Sequence, residues 1–377
     1  MSGPLNGFKI IEFAGLGPAP FAGMMLSDMG AEILRIDKMS SKSAENSGNG
    51  NFDILSRGRQ TLTIDLKKPD GALLALKMIE KADALIEGFR PGVMEKLGLG
   101  PEKCLKKNPK LVYGRMTGWG QEGPLSKFAG HDINYLSLTG ALHSIGRKGS
   151  NPTPPLNLVG DFGGGGMFLA FGIVCALIEA SKSDKGQVVD AAMVDGVASL
   201  MAMVHGLLST DIWEDKPASN FLDTGSHYYD TYECLDGKYV AVGAIEPKFY
   251  NSLVEVLGLN KISEEKEQMD KSRWPELKKK FSSVFLTKTR GEWCKIMKDK
   301  DVCFSPVLSI TEAYEHPHNK ARKLFLKNGK RIEPAPAPRF SRTPGSINRD
   351  LSGSNAETSK LLFDWGLNEQ EISELLK

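Results

Sequence analysis

The sequence predicts an α/β chain built on a mostly parallel sheet with helices on its faces. Three observations predict it. Short apolar, β-rich runs recur through the first third of the 377 residues. Helix-forming stretches separate them. The resulting strand, helix, strand spacing is that of crossover units, which place consecutive strands parallel.

Residues 8–13 (FKIIEF) read as a buried strand, followed by the turn Gly15-Leu16-Gly17-Pro18 and a helix over 19–29. Residues 31–36 (AEILRI) and 62–66 (LTIDL) give the second and third strands. Pro69 opens a helix through Lys81, because proline is tolerated in a first helical turn. Residues 84–87 (ALIE) form a fourth strand, and Leu111-Val112-Tyr113 begin a fifth after another helix. In such sheets ligands bind beyond the carboxyl ends of the strands.

Two stretches read as connections. Residues 39–51 are rich in Ser, Gly and Asn, and residues 333–346 are Pro-rich, an extended tether. Residues 228–242 predict a β-hairpin turning at Asp236-Gly237, and charged helical sequence follows to about residue 300. The expected division is a large domain over 1–220, completed by 330–377, and a smaller one over 221–329. The last twenty residues read as a terminal helix pair.

Charge and composition narrow the function classes. Lys plus Arg number 48 against 46 Asp plus Glu, a net charge of +2, so general polyanion binding is not expected and no nucleic-acid partner is predicted. No apolar run reaches the ~18 residues that suggest a membrane span. Five cysteines (104, 175, 234, 294 and 303) contain no CxxC pair, which argues against a zinc cluster and a disulfide framework. The start has no secretory or Arg-rich leader and the end no clear peroxisomal tripeptide, so an intracellular protein is expected.

Several motifs carry chemistry. Gly15-x-Gly17 with Asp37 imitates a dinucleotide fingerprint, but position 20 is proline where the third glycine belongs. Pro18 and Pro20 also remove N–H groups that would cradle a pyrophosphate, which leaves a plain strand-to-helix turn. Basic residues gather near strand ends: Arg35 and Lys38, Arg57 and Arg59, Lys67, Arg90, Lys96. They are either solvated surface charges or a site for a phosphorylated ligand.

His131, in Gly130-His131-Asp132-Ile133-Asn134-Tyr135, opens a helix after a strand and a glycine-punctuated loop. Histidine titrates near ~6.5, which suits proton transfer at neutral pH. Asp161 lies in NLVGDFGGGG (157–166). An N-cap is its bland reading. Four glycines at a helix start cost up to ~1 kcal/mol each, which points instead to backbone that approaches a ligand and stabilises developing negative charge. Met193, Met201 and Met203, on a helix expected over 191–208, are core filler or an acyl surface.

GHDINYLSLTGAL (130–142), NLVGDFGGGGMFLAFGI (157–173) and YECLDGKYVAVGAIEPKFY (232–250) together resemble the racemase branch of the family III CoA-transferase superfamily. LNGFKIIEFAGLGPAPFAGMMLSDMGAEILRID (5–37) and IEGFRPGVMEKLGLGP (86–101) resemble it too. The resemblance implies a Rossmann-like CoA-binding large domain, a small α+β domain and two chains interlocked as a homodimer. It implies interconversion of (2R)- and (2S)-2-methylacyl-CoA thioesters, with CoA as part of the substrate and no separate cofactor or metal. Relatives in animals work in mitochondria and peroxisomes, on branched fatty acids or bile-acid intermediates.

Residue by residue, the resemblance implies that His131 and Asp161 are the acid/base pair. Asn157 would support Asp161, and Glu246 of AIEP would pair with the histidine. CoA contacts would come from Arg35, from Ile64, Asp65, Leu66 and Lys67, and from Gly88, Phe89, Arg90, Pro91 and Gly92. Lys96 would join them, a lysine where some relatives carry arginine, as would Gly130, His131, Asp132, Ile133, Asn134 and Tyr135. In this reading the 163–166 glycines hold the enolate oxygen. The rival reaction is CoA transfer, with Asp161 attacking the thioester as a nucleophile.

Overall fold

The computed structural model describes residues 3–38, 54–259, 265–348 and 355–375. The Ser/Gly/Asn-rich stretch at 39–51 lies outside them. The chain clusters into two compact units, one of residues 1–139, 156–200 and 326–377, the other of 140–155 and 201–325. Residues 140–155 and 201–220, assigned by sequence to the large domain, thus cluster with the smaller unit.

The larger unit holds a six-stranded sheet of β1 (Lys9–Phe13), β2 (Glu32–Asp37), β3 (Gln60–Thr63), β4 (Ala84–Glu87), β5 (Val112–Thr117) and β6 (Gln187–Ala192). Every pairing is parallel and the order is β3-β2-β1-β4-β5-β6. Alternation along the strands feeds two cores. Ile10, Ile33, Ala84 and Ile86 pack with α1 (Pro18–Asp28) and α6 (Phe168–Ser183). Ile11, Leu34, Leu85 and Tyr113 pack on the other face with α2 (Pro69–Ile79) and α4 (Pro101–Lys107), α3 (Val93–Lys96) lying between these two in sequence. The terminal helices α11 (Asn355–Asp364) and α12 (Glu369–Leu375) join that second core through Leu362, Trp365 and Ile372.

Three sequence expectations change here. The sixth strand replaces the start of the helix expected over 191–208: Gln187 and Asp190 interrupt its apolar run, and helix begins at Met193 as α7 (Met193–Leu200). Arg57 and Arg59 are buried ion partners rather than phosphate ligands. Arg59 pairs with Glu12 inside the α1 face of the sheet, both side chains fully buried. Arg57 bonds Asp28 and donates to the Pro334 carbonyl at 2.7 Å, with Glu333 alongside at 3.7 Å.

The Pro-rich stretch is therefore no loose tether at its start. Arg331–Pro334 forms β11, paired with β10 (Phe325–Asn328), and Glu333 is fully buried; farther on, Ser346 N donates to the Asp28 carbonyl.

The smaller unit carries the hairpin expected from sequence. Its strands are β7 (Tyr229–Glu233) and β8 (Tyr239–Gly243), and Gly237 adopts a positive φ of 69° at the turn. A third antiparallel strand, β9 (Phe304–Pro306), extends it. The helices α8 (Pro247–Val256), α9 (Trp274–Phe285) and α10 (Arg290–Met297) cover an aromatic core of Tyr228, Tyr232, Phe281, Phe285 and Trp293. His227 is fully buried among these rings, with Nε2 2.8 Å from Tyr250 Oη, and burial drives its pKa down to about 3.

Candidate active site

The strand order 3-2-1-4-5-6 reverses direction between β1 and β4, the place where open α/β sheets bind ligands. A cleft of about 350 Å³ opens there, beyond the carboxyl ends of the strands. Its lining follows the sheet: Leu16, Gly17 and Pro18 after β1, Gly88 to Pro91 after β4, Thr117 to Trp119 at the end of β5, and Met193 after β6. Met116, Ser126, Phe128, Ala129, Gly130, His131, Tyr135 and Asp161 complete it.

Each polar group reaches the cleft for a local reason. His131 is the N-cap of α5 (Asp132–Leu138), in extended conformation, and its backbone N–H donates to Asn134 Oδ1 at 3.0 Å. This reciprocal cap fixes the turn and leaves the imidazole exposed. Tyr135, one turn on, is buried edge-to-face against Trp119, and burial pushes its hydroxyl up to about 12.

Asp161 lies in a π-helical segment, Leu158–Met167, that runs directly into α6. Segments of this hydrogen-bonding pattern are frequent at functional sites. Asn157 Nδ2 donates to Asp161 Oδ2 at 3.3 Å. A Cβ on Gly17, whose φ is 66°, would sit 3.3 Å from that same oxygen, so glycine both permits the turn and clears the carboxylate. Burial raises the Asp161 carboxyl above the ordinary aspartate range, and the Asn157 hydrogen bond opposes this. The charge of Asp132 raises it further, while His131 pulls it down.

The glycine run has a packing reason. A Cβ at Gly164 would meet Val197 at 2.8 Å, one at Gly165 would meet Met193 at 2.8 Å, and one at Gly166 would meet Phe21 at 2.7 Å. These glycines let the segment press against α1 and α7, and none of residues 163–166 lines the cleft. The lining of the cleft gives the enolate hole expected at 163–166 no residue. The amino ends of α1 and α5 border the cleft instead, with their positive dipole ends toward it.

The other singled-out residues divide by position. Gly88, Phe89, Arg90 and Pro91 line the cleft, whereas Gly92, the N-cap of α3 at φ 85°, and Lys96 at the end of α3 are not among its lining residues. Arg35, on β2, donates to Ser56 Oγ. Ile64, Asp65, Leu66 and Lys67 follow β3, three strand positions from β4, roughly 14 Å at the usual strand spacing. Ile133 and Asn134 are exposed on α5, and Asp132 is buried. Glu246 belongs to the smaller unit, where it is the exposed N-cap of α8.

Sequence reasoning missed a buried network beneath the Arg90 loop. Glu87 Oε2 accepts from Phe89 N at 2.7 Å, Oε1 accepts from Arg115 Nε at 2.9 Å, and Arg115 Nη1 reaches Glu95 Oε1 at 2.9 Å. One arginine thus ties both ends of the loop. Two ionisable residues inside otherwise apolar strands were the available signal. Leu16 and Phe128, 93% and 65% exposed, add apolar surface at the cleft mouth that no motif announced.

Residues 5–351 match the sequence model of CoA-transferase family III. The chain belongs to this family. It is 46% identical over 375 residues to the alpha-methylacyl-CoA racemase of Mus musculus, covering 98% of this chain and 96% of that one. It is 44% identical over 377 residues to the alpha-methylacyl-CoA racemase of Homo sapiens, with the same coverage. The fold matches the crystal structure of a CAIB/BAIF family protein from Brucella suis with a TM-score of 0.77, at 21% identity over 96% of this chain and all of that one. Membership of the family accounts for both units at once, since the matched residues run through each.

Proposed function

We propose that this family member is an isomerase that interconverts the (2R) and (2S) epimers of 2-methylacyl-CoA thioesters by moving the α-proton. The observation that carries the reading is that His131 and Asp161 line one cleft at the switch point of the sheet, beside the Arg90 loop. The likeness to two racemases over nearly the whole chain supports it.

Racemising a carbon beside a thioester requires one group to take the α-proton and another to return one on the opposite face. Neutral His131 takes the proton of one epimer while Asp161 supplies the other, and the roles reverse for the return. Burial raises the Asp161 carboxyl above the ordinary aspartate range, the direction a proton-donating partner requires. Asn157 holds its carboxylate, and Glu246 orients His131 and stabilises the imidazolium. The helix ends at the cleft favour the enolate oxygen. The reaction moves a proton and nothing else, and CoA arrives as part of the substrate.

The pantetheine and nucleotide then extend from the cleft along the carboxyl edge of the sheet. Arg90 and the 88–92 loop hold the near part, and Arg35 with residues 64–67 the far part. The chain acts as a homodimer in this reading. Support comes from α6, whose one face packs Leu169, Ile173 and Leu177 on the sheet while Phe171 and Ile178 on another stand 69% and 51% exposed.

Incubation of one pure epimer in deuterated water tests the activity. Deuterium enters the α-position and the mixture approaches equal epimers with no acceptor acid added. A requirement for a free carboxylic acid, with an unlabelled α-carbon, would replace this reading by CoA transfer through Asp161 as nucleophile.

A further inference from the structure

We infer that Asp132 is a positioning residue for proton transfer: its buried carboxylate holds the Asp161 segment against the head of α5. The inference rests on the proposed racemase reading. Asp132 follows His131 directly, so one side chain links the two proton carriers.

The geometry is specific. Asp132 is 6% exposed, and its Oδ1 accepts the backbone N–H of Asp161 at 2.7 Å. The approach is so close that a Cβ on Gly160 would fall 2.4 Å from that oxygen, so residue 160 has to be glycine for the contact to form. The other oxygen, Oδ2, is buried without a hydrogen-bond partner among the described residues. An acid that merely favours a helix start sits in the first turn with its charge in water. Here half the carboxylate is uncompensated inside the protein, an arrangement that costs stability and that a cap does not need.

The consequence is electrostatic as well as steric. The groups facing Asp161 are His131 and Asp132 from α5, Tyr135 one turn on, and neutral Asn157. Packed against its segment, α1 and α7 present Pro18, Phe21, Met193 and Val197, none of them ionisable. The one carboxylate of α7, Asp195, acts on Asp190 instead. Among the described residues Asp132 is therefore the one negative side chain raising Asp161, and it works in concert with burial.

Two variants separate the roles. Asp132→Asn is nearly isosteric and keeps an oxygen to accept the Asp161 N–H, but carries no charge. The acid limb of kcat/KM, which reports the first proton lost by the His131/Asp161 couple, should move to lower pH. It should move equally for both epimers, because the equilibrium between them fixes the ratio of the two rates at every pH. Asp132→Ala removes the tie and should lower kcat by about 10²-fold, the cost of a small misplacement of a reacting group, while the Kd for free CoA stays within a few-fold. An unmoved acid limb in the Asn variant, or an undiminished kcat in a folded Ala variant, would overturn the inference while wild-type racemisation persists. Absence of exchange in the wild type would strike the racemase reading itself.

Discussion

Glu87 and Arg115 are register partners on the adjacent strands β4 and β5, and the Glu87 carboxylate accepts the Arg115 Nε hydrogen at 2.9 Å. Burial lifts Glu87 to about 7, against the opposing pull of the Phe89 N–H hydrogen bond and then of the Arg115 cation. The same carboxyl group receives the Phe89 N–H and starts the loop that carries Arg90.

Arg115→Met should therefore loosen the loop without touching the reacting carbon. The Kd for free CoA, measured by calorimetry, should rise about tenfold, the worth of one charge-assisted hydrogen bond. The kcat should change far less, because a contact remote from the chemistry acts as uniform binding. Unaltered CoA affinity would confine the network to stability.

The two proton carriers can be read one at a time. His131→Ala should abolish racemisation but leave Asp161 able to exchange the α-proton of one epimer with solvent, retaining configuration. Asp161→Ala should give the mirrored pattern. The family resemblance assigns His131 to the (2S) and Asp161 to the (2R) substrate. Mass spectrometry and chiral chromatography of each recovered epimer decide this; equal exchange of both epimers in either variant contradicts a two-base arrangement.

Glu246→Gln tests the smaller unit's share. The amide can still accept a hydrogen bond from the imidazole but cannot stabilise its cation, so turnover should fall by roughly 10²–10⁴-fold in both directions. Free CoA should bind as before. Unchanged turnover would leave Glu246 as the cap of α8 and nothing more.

His227 makes a prediction about stability rather than rate. Its folded pKa is lowered to about 3, so the folded state keeps it neutral while the unfolded chain takes up a proton below ~6.5. Stability from this group is complete above pH ~6.5 and is lost as pH falls toward 3. Between pH 6.5 and 5 the loss is roughly 2 kcal/mol. Denaturant titrations across that range should show the decline, and His227→Phe should flatten it.

The parts of the fold legible in the sequence were those whose pattern is local. The apolar runs of β1, β2 and β4 announced a parallel sheet, and Asp236-Gly237 announced its hairpin. What stayed hidden depends on partners far along the chain. Nothing near Arg57 tells that Asp28 and Glu333 neutralise it, or near Arg59 that Glu12 does. The strand β6 was illegible because an edge strand keeps polar residues such as Gln187 and Asp190. The glycines at 164–166 were conspicuous, but which atoms crowd them is decided by α1 and α7, and the crowding is protein rather than ligand. In the site, the motif residues His131, Asp161 and Arg90 meet in one cleft, whereas the acid beneath them, Asp132, is distinguished from an ordinary first-turn aspartate by burial alone.

The larger unit is written in three separated pieces of chain, and its last piece is needed by its first. Arg57 and its ion partner Asp28 are synthesised long before the Glu333 and Pro334 that complete their surroundings, and β1 before the Trp365 and Ile372 that close the core on its second face. Without that last piece the sheet has an open apolar face on its second side, and Arg57 has Asp28 but neither the Pro334 carbonyl nor Glu333 beside it. The second core is incomplete until the third piece is present. The smaller unit, by contrast, has its complete hairpin and helices once residue 325 emerges. The unit that holds residue 9 is thus also the one that needs residue 372, whereas the smaller unit closes on itself within residues 140–325.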